Sequence, residues 1–379
     1  MDDVKLGYED VSLIPEIITT VCSRTECNPY DEDGFLMIFA SCMHSVVSLE
    51  NIKDFNAAHI RAVLPRSYSL ETRLKFLREN VGGPNFVAFS KNEAKDVFVD
   101  NMRFHPTSLS TDHPLRICID LADGHMECLL EIVKDIKALY GQRIIIMTGN
   151  VANPQTYRYY EEAGVDLVRT SIGTGSVCST ASNTGVYYPP FSLIKEMYEI
   201  KKEIGGKCKI IADGGIKGFR DIQKALIYAD YVMIGGLFNK AMESAGKTTY
   251  GTFYWNIRGK KIARPLKTLL YYGREVPKEK YEKVYKLIKA NKLTVWKENF
   301  GMSTKIAQGL INDANGIETK KLKTSEGLLK YQKVEYTLAG WAENEAAFLS
   351  SAMSYSDARN TDEYKETEWV RVHRVAYNN

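Results

Sequence analysis

Eight short apolar runs constrain this chain more than any other feature of its sequence. They are FLMIFASC (35–42), IRAVL (60–64), NFVAFS (85–90), RICIDL (116–121), RIIIMTG (143–149), VDLVRT (165–170), CKIIAD (208–213) and DYVMIGG (230–236). Near-continuous apolar strands have both faces covered, as in a parallel sheet packed under helices. Helical periodicity fills several of the gaps: LETRLKFLRE, MECLLEIVKDIKALY, PQTYRYYEEAG, FSLIKEMYEIKKEIGG and FRDIQKALIYA. The alternation predicts an α/β fold, a (β/α)8 TIM barrel, with a doubly wound open sheet as its competitor. In a barrel, chemistry sits on the loops that follow the C-terminal strand ends.

Composition narrows the class further. The 379 residues are 44% hydrophobic and 26% charged, enough apolar material for one large core. A net charge of +3 is too small to point to nucleic acid. No run of about 18 apolar residues exists to span a membrane. The opening MDDVKLGYED has no apolar signal-peptide core, so the expected location is cytoplasmic. Seven cysteines lack CxxC spacing and read as reduced thiols rather than a disulfide framework. Six of them (Cys22, Cys27, Cys42, Cys118, Cys128 and Cys208) are expected to be buried or inert.

One segment stands apart. Residues 247–299 carry 14 Lys/Arg, 4 Glu and no Asp, a local net charge of +10. Within it, Tyr281, Val284, Leu287 and Ile288 fall at helical spacing. That pattern reads as an amphipathic surface helix with a solvated lysine face, the alternative being a contact surface for an anionic partner or another subunit. The expected organisation is a single barrel domain over residues 1–379, with a basic insertion at 247–299 and a flap region at 300–345.

Three loops suggest chemistry. GTGSVCST (173–180) follows the run VDLVRT, which places it at the catalytic rim. Gly173 and Gly175 permit backbone shapes that a β-carbon forbids, so amides can face an anion or carbonyls a cation. Ser176 adds a hydroxyl donor, and Cys178 offers a thiol that such a loop can activate as a nucleophile. The plain alternative is a glycine-rich turn with a small buried thiol. IIADGGIKG (210–218) puts Asp213 at the rim beside Gly214 and Gly215, and MIGGLF (233–238) adds Gly235 and Gly236. Glycine-rich ends on strands seven and eight are the usual phosphate site of barrel enzymes. Together the loops describe a phosphorylated ligand held beside a thiol.

These loops, with NTGVYYPP (183–190), FGMS (300–303) and KTSEG (323–327), resemble the IMP dehydrogenase/GMP reductase family. YEDVSLIP, ICIDLADGH, MTGNVANP and SSAMSYSDA match in order, so the resemblance covers roughly residues 5–246 and 298–360. Details lean towards the reductases: Thr184-Gly185-Val186 with Tyr188-Pro189, Ser23-Arg24, and KTSEG. No Arg-Tyr pair follows FGMS, and no room exists between strands two and three for regulatory domains.

The resemblance implies an NADPH-dependent reductive deamination of GMP, or a related guanine nucleotide, to IMP and ammonia through a thioimidate on Cys178. Thr180 and Glu326 would relay the proton. Ser176, Gly215, Gly235 and Gly236 would hold the phosphate of a purine nucleoside monophosphate, beside Gly214, and Asp213 would accept both ribose hydroxyls. Gly301, Met302, Ser303, Lys323, Ser325 and Gly327 would surround the base. Ser23, Arg24, Asp120, Leu121, Ala122, Ser351 and Tyr355 would contact the cofactor. Carbonyls of Gly173, Gly175 and Cys178 would bind potassium, and the assembly would be a homotetramer. Alternatives are an IMP dehydrogenase using NAD+, a divergent member acting on a deoxy or modified purine nucleotide, and a catalytically silent nucleotide-binding protein.

Several positions depart from the family pattern. Phe300 replaces a phosphate-binding tyrosine, Ala181 a basic residue, and Lys323 an arginine. Arg66 stands where a cofactor-side lysine is missing, Cys42-Met43-His44 replaces Asn-Met-Asp, and Asp123 replaces an asparagine.

Overall fold

The computed structural model describes residues 4–175, 177–250, 252–257, 260–265, 281–290, 293–316 and 327–372. A short strand β1 (Val11–Leu13) precedes the barrel, whose strands are β2 (Ile38–Ala40), β3 (Arg61–Leu64), β4 (Phe86–Phe89), β5 (Leu115–Asp120), β6 (Ile144–Val151), β7 (Leu167–Thr170), β8 (Lys209–Asp213) and β9 (Tyr231–Ile234). Each pairs in parallel with the next, and β9 closes on β2, with Ile38 opposite Val232. Every one of the eight apolar runs supplies one barrel strand, and the open-sheet alternative is excluded.

The physical reason is double burial. Residues of β3, β4 and β9 are buried without exception. Phe39, Val63, Phe86, Met147, Ile211 and Met233 fill the barrel interior, and the alternate positions pack outward under the helices. Those helices are α1 (Ile52–Ala57), α2 (Leu70–Glu79), α3 (Lys91–Lys95), α4 (Glu127–Tyr140), α5 (Thr156–Ala163), α6 (Thr180–Thr184), α7 (Pro190–Ile204) and α8 (Phe219–Leu226). Local chemistry sets their starts. The Ser69 hydroxyl accepts the Thr72 amide at the head of α2, and Asp221 in the first turn of α8 accepts the Lys217 amide at 2.8 Å.

Beyond the barrel lie β10 (Thr248–Tyr250), the hairpin β11 (Thr252–Ile257) and β12 (Lys260–Pro265), then α9 (Tyr281–Lys289), β13 (Val295–Phe300), α10 (Lys305–Ala314), β14 (Leu329–Lys333), α11 (Leu338–Tyr355) and β15 (Trp369–Arg371). β10, β13 and β14 form one antiparallel sheet, so both ends of the 247–299 segment join a strand of the 300–345 region. On α9, Val284 and Ile288 are buried in a small cluster with Met242, Leu293, Val295 and Val334. The lysines of α9 point to solvent, as the amphipathic reading expects. β15 pairs with β1 and ties the two ends of the described chain together. Among the described residues, no helix is long and apolar enough to cross a membrane.

Candidate active site

A cavity of about 680 Å³ opens at the C-terminal end of the barrel. Cys178, Thr180, Asp213, Gly214, Asp120, Leu121 and Ala122 line it, with Gly173 and Gly175 of the cysteine loop. Gly301, Met302 and Ser303, which join β13 to α10, form another wall. The volume suits a nucleotide-sized ligand.

The cysteine loop is built to present its thiol. Gly173 has φ +76°, and a β-carbon there would overlap Ala181 on α6. The Cys178 amide closes the turn by donating to the Gly175 carbonyl at 3.0 Å. The thiol, half-buried, donates to Thr180 Oγ1 at 3.3 Å, because Thr180 opens α6 two residues later. Cys178 also pairs as an isolated antiparallel bridge with Gly327, and Leu328 donates to the Val177 carbonyl at 2.9 Å. The segment that leads into β14 is thus fastened directly to the thiol loop. The alternative of a thiol lost in the core is not what the structure holds, since Cys178 borders the cavity.

The floor of the cavity is a chain of buried charges. Arg169 on β7 is almost fully buried. Its Nη1 lies 2.8 Å from Asp120 Oδ1, and its Nε and Nη2 lie 3.0 and 2.9 Å from Asp213 Oδ2. Arg66 Nε adds a second donor to Asp120 at 3.1 Å, and Asn150 Nδ2 a second donor to Asp213 at 3.0 Å. Burial alone would raise the Asp120 carboxyl. The two guanidinium groups outweigh it and hold that carboxyl well below the usual carboxylate range. Cys42 and Cys118 approach the same Arg169 Nη1 at 3.7 and 3.5 Å. Cys27, Cys42, Cys118 and Cys208 are buried as expected, although Cys42 also borders the cavity; Cys128 is half-buried and Cys22 is exposed.

Other expected site residues fall elsewhere. Gly215, Gly235 and Gly236 do not line the cavity; a β-carbon on Gly235 would meet Met43 Sδ at 2.6 Å. Ser23 caps a short helical turn by accepting the Thr25 amide, and Arg24 beside it is exposed. That turn packs on α11, where Ser351 Oγ donates to the Ala347 carbonyl and Tyr355 is exposed. The seven cofactor candidates thus form two groups, with Asp120, Leu121 and Ala122 at the cavity and the other four outside its lining. Ser176, Lys323, Ser325 and Glu326 lie outside the described residues.

Two of the departures touch each other. Phe300 is buried and stacks on His44, ring centroids 6.3 Å apart. The His44 ring shares a 2.7 Å hydrogen bond with Ser67 Oγ, and burial lowers its pKa against a weaker opposing pull from Glu50. Arg169, Asn150 and the α10 residues Gln308, Ile311 and Asn312 border the site without having been singled out from the sequence.

Comparison with known proteins agrees with this geometry. The family model described as IMP dehydrogenase / GMP reductase domain matches residues 107–290. A GMP reductase of Aliivibrio salmonicida (strain LFI1238) is 31% identical over 258 residues, which are 65% of this chain and 72% of the relative. GMP reductase 2 of Homo sapiens is 30% identical over 256 residues, with the same two shares. The chain belongs to the IMP dehydrogenase/GMP reductase family. Within that family the barrel, the thiol loop and Asp213 at the end of β8 form one arrangement, a site at the strand ends with a cysteine beside a nucleotide-sized cavity.

Proposed function

We propose that the protein is an NADPH-dependent GMP reductase, which converts GMP to IMP and ammonia. The observation that carries the reading is the Cys178 thiol, at the cavity and in contact with Thr180 Oγ1. Per GMP, one NADPH and two protons are consumed, giving IMP, NADP+ and ammonium.

Cys178 Sγ attacks C2 of the purine, and the C2–N bond to the exocyclic amine breaks. The thiol proton passes to Thr180 and onward to the departing nitrogen, with Glu326 as the second member of the relay. A thioimidate on Cys178 splits one hard substitution into two easier ones. A reduced nicotinamide, when bound, supplies the two electrons and the hydrogen that C2 then requires. The C2–Sγ bond breaks with its electron pair on sulfur, IMP leaves, and the Cys178 thiolate takes up a proton from solvent to regain its thiol. Asp213 holds the sugar, and Met302 and Ser303 close over the base. Leu121 and Ala122 offer a nicotinamide ring a partly apolar wall beside Asp120, whose two oxygens are already taken by Arg66 and Arg169. A potassium ion at Gly173, Gly175 and Cys178 would share the Gly175 carbonyl with the Cys178 amide, so it would brace the turn rather than take part in the chemistry.

The test follows reduced-cofactor absorbance with GMP plus NADPH, and separately with IMP plus NAD+. Turnover in the first mixture alone supports the proposal; turnover in the second alone would replace it with a dehydrogenase. Cys178→Ala is expected to abolish turnover while retaining GMP binding by calorimetry. Undiminished turnover in that variant would remove the covalent mechanism.

A further inference from the structure

The barrel has a second mouth. At the N-terminal ends of its strands lies a cavity of about 480 Å³, to which each of the eight strands contributes one residue from its first half. Phe39, Phe86, Ile145, Leu167 and Tyr231 give it an apolar floor, and Arg61, Arg116 and Lys209 add three cations. Bulky apolar side chains usually fill such a layer. Three cations in one ring of eight positions need anions, because like charges drawn away from water repel strongly.

Only Arg61 has them. It is buried and paired with Asp31 and, at 2.8 Å, with Asp33. Arg116, half-buried, donates from Nη1 to the Gly83 carbonyl at 3.0 Å, and Lys209 Nζ lies 3.5 Å from the Tyr231 hydroxyl. Neither forms an ion pair among the described residues. The carboxylates that act on them from further off are engaged elsewhere, Asp33 by Arg61, and Asp230 by Lys201 at 2.8 Å and by Lys365. Two more carboxylates border the cavity, and both are taken. Asp166 accepts the Ile146 amide and Lys137 Nζ, each at 2.6 Å, and Glu161 accepts the Lys207 and Cys208 amides at 2.9 and 2.7 Å. The cations converge as well. Arg61 Cζ and Lys209 Nζ lie 5.9 and 5.4 Å from the centre of the same Tyr231 ring. Burial, and then Arg61, lower the Arg116 pKa, so the two guanidinium groups feel each other.

We propose that this N-terminal mouth binds a phosphate monoester with a small apolar body, at a site separate from the cavity that holds Cys178. The phosphate dianion matches the two unpaired charges, and its oxygens accept from the Arg116 fork and the Lys209 ammonium at once. The floor takes the ester group, and the volume lies in the range of small-molecule sites.

Isothermal titration calorimetry of the full chain with phenyl phosphate tests this, with GMP saturating the C-terminal cavity and no cofactor present. Saturable binding with a Kd of about 1 mM or tighter is expected. Inorganic phosphate should bind at least about tenfold more weakly, because it leaves the floor bare. Arg116→Gln/Lys209→Gln should weaken phenyl phosphate at least about tenfold and leave GMP affinity within about twofold. No saturable heat up to about 10 mM, or equal affinity in the two proteins, would overturn the proposal. Inorganic phosphate as tight as phenyl phosphate would overturn it too, in favour of a bare-anion site. A GMP affinity that falls together with that for phenyl phosphate would refute the separateness of the site. Should the double variant fail to fold, Lys209→Gln alone, at an exposed side chain, makes the comparison. A loss of at least about threefold is then expected, and an unchanged affinity overturns the proposal.

Discussion

Arg169→Met tests the buried charge chain most severely. The methionine keeps most of the side-chain length but withdraws the guanidinium from both carboxylates. Removing one partner of a buried pair typically costs about 3–5 kcal/mol, because the other charge is left uncompensated. Here both carboxylates keep donors, Arg66 Nε at 3.1 Å and the Cys42 thiol at 3.4 Å for Asp120, and Asn150 Nδ2 at 3.0 Å for Asp213. The expected loss is therefore at the lower end, about 3 kcal/mol. Urea unfolding followed by tryptophan fluorescence, extrapolated to zero denaturant at pH 7, measures it. The pH dependence gives a second handle. The Asp120 carboxyl is depressed in the folded protein, so its contribution is complete above the unfolded value near 4 and fades as pH falls towards the folded value. The gap between wild type and variant should accordingly narrow below about pH 4. A difference under about 1 kcal/mol at pH 7, less than a broken buried pair costs, would refute the reasoning, as would a gap that widens on acidification.

Two further outcomes follow from single positions. Glu345 on α11 is fully buried; among the described residues its Oε1 accepts from Gln223 Nε2 at 3.2 Å and its Oε2 has no partner. Burial raises its pKa well above the ordinary value, so the folded state holds a proton that the unfolded chain loses above about 4.3. Its stability contribution falls as pH rises through that window, and Glu345→Gln, which cannot ionise, should gain on wild type between pH 5 and pH 8; equal stability curves would count against it. Gly173→Ala forces a β-carbon into a left-handed conformation and against Ala181, at a cost of about 1–2 kcal/mol in backbone strain alone. Thermal unfolding should fall and turnover should fall further, because the same loop carries Cys178; a variant with wild-type melting temperature and rate would show that the turn does not need this shape.

Much of the barrel was legible because burial on both faces writes a near-continuous apolar strand, and eight such runs became eight paired strands. The helix LETRLKFLRE matches α2 residue for residue, since Ser69 caps its start. Cys178, Asp213 and Asp120 were legible as polar groups at strand ends or on the loops after them, where a barrel puts its chemistry. Arg169 was not. Within VDLVRT it follows the apolar pair Leu167-Val168 and shares the run with Asp166, and only strand closure brings it between Asp120 and Asp213. The signal was present, because an arginine inside a buried strand has to find carboxylates. Asn150 gave no comparable signal, since its role comes from the approach of β6 to Asp213. The contact between Phe300 and His44 likewise joins residues 256 positions apart, which no local pattern reveals.

The covalent role of Cys178 is tested most directly by intact-protein mass spectrometry after acid quench of the enzyme with GMP and NADP+, the oxidised cofactor that cannot complete reduction. A mass increase equal to the nucleotide less ammonia, mapped to the peptide carrying Cys178 and absent from Cys178→Ala, is the expected result. An unmodified chain in that mixture, from a preparation that turns over GMP with NADPH, would contradict it.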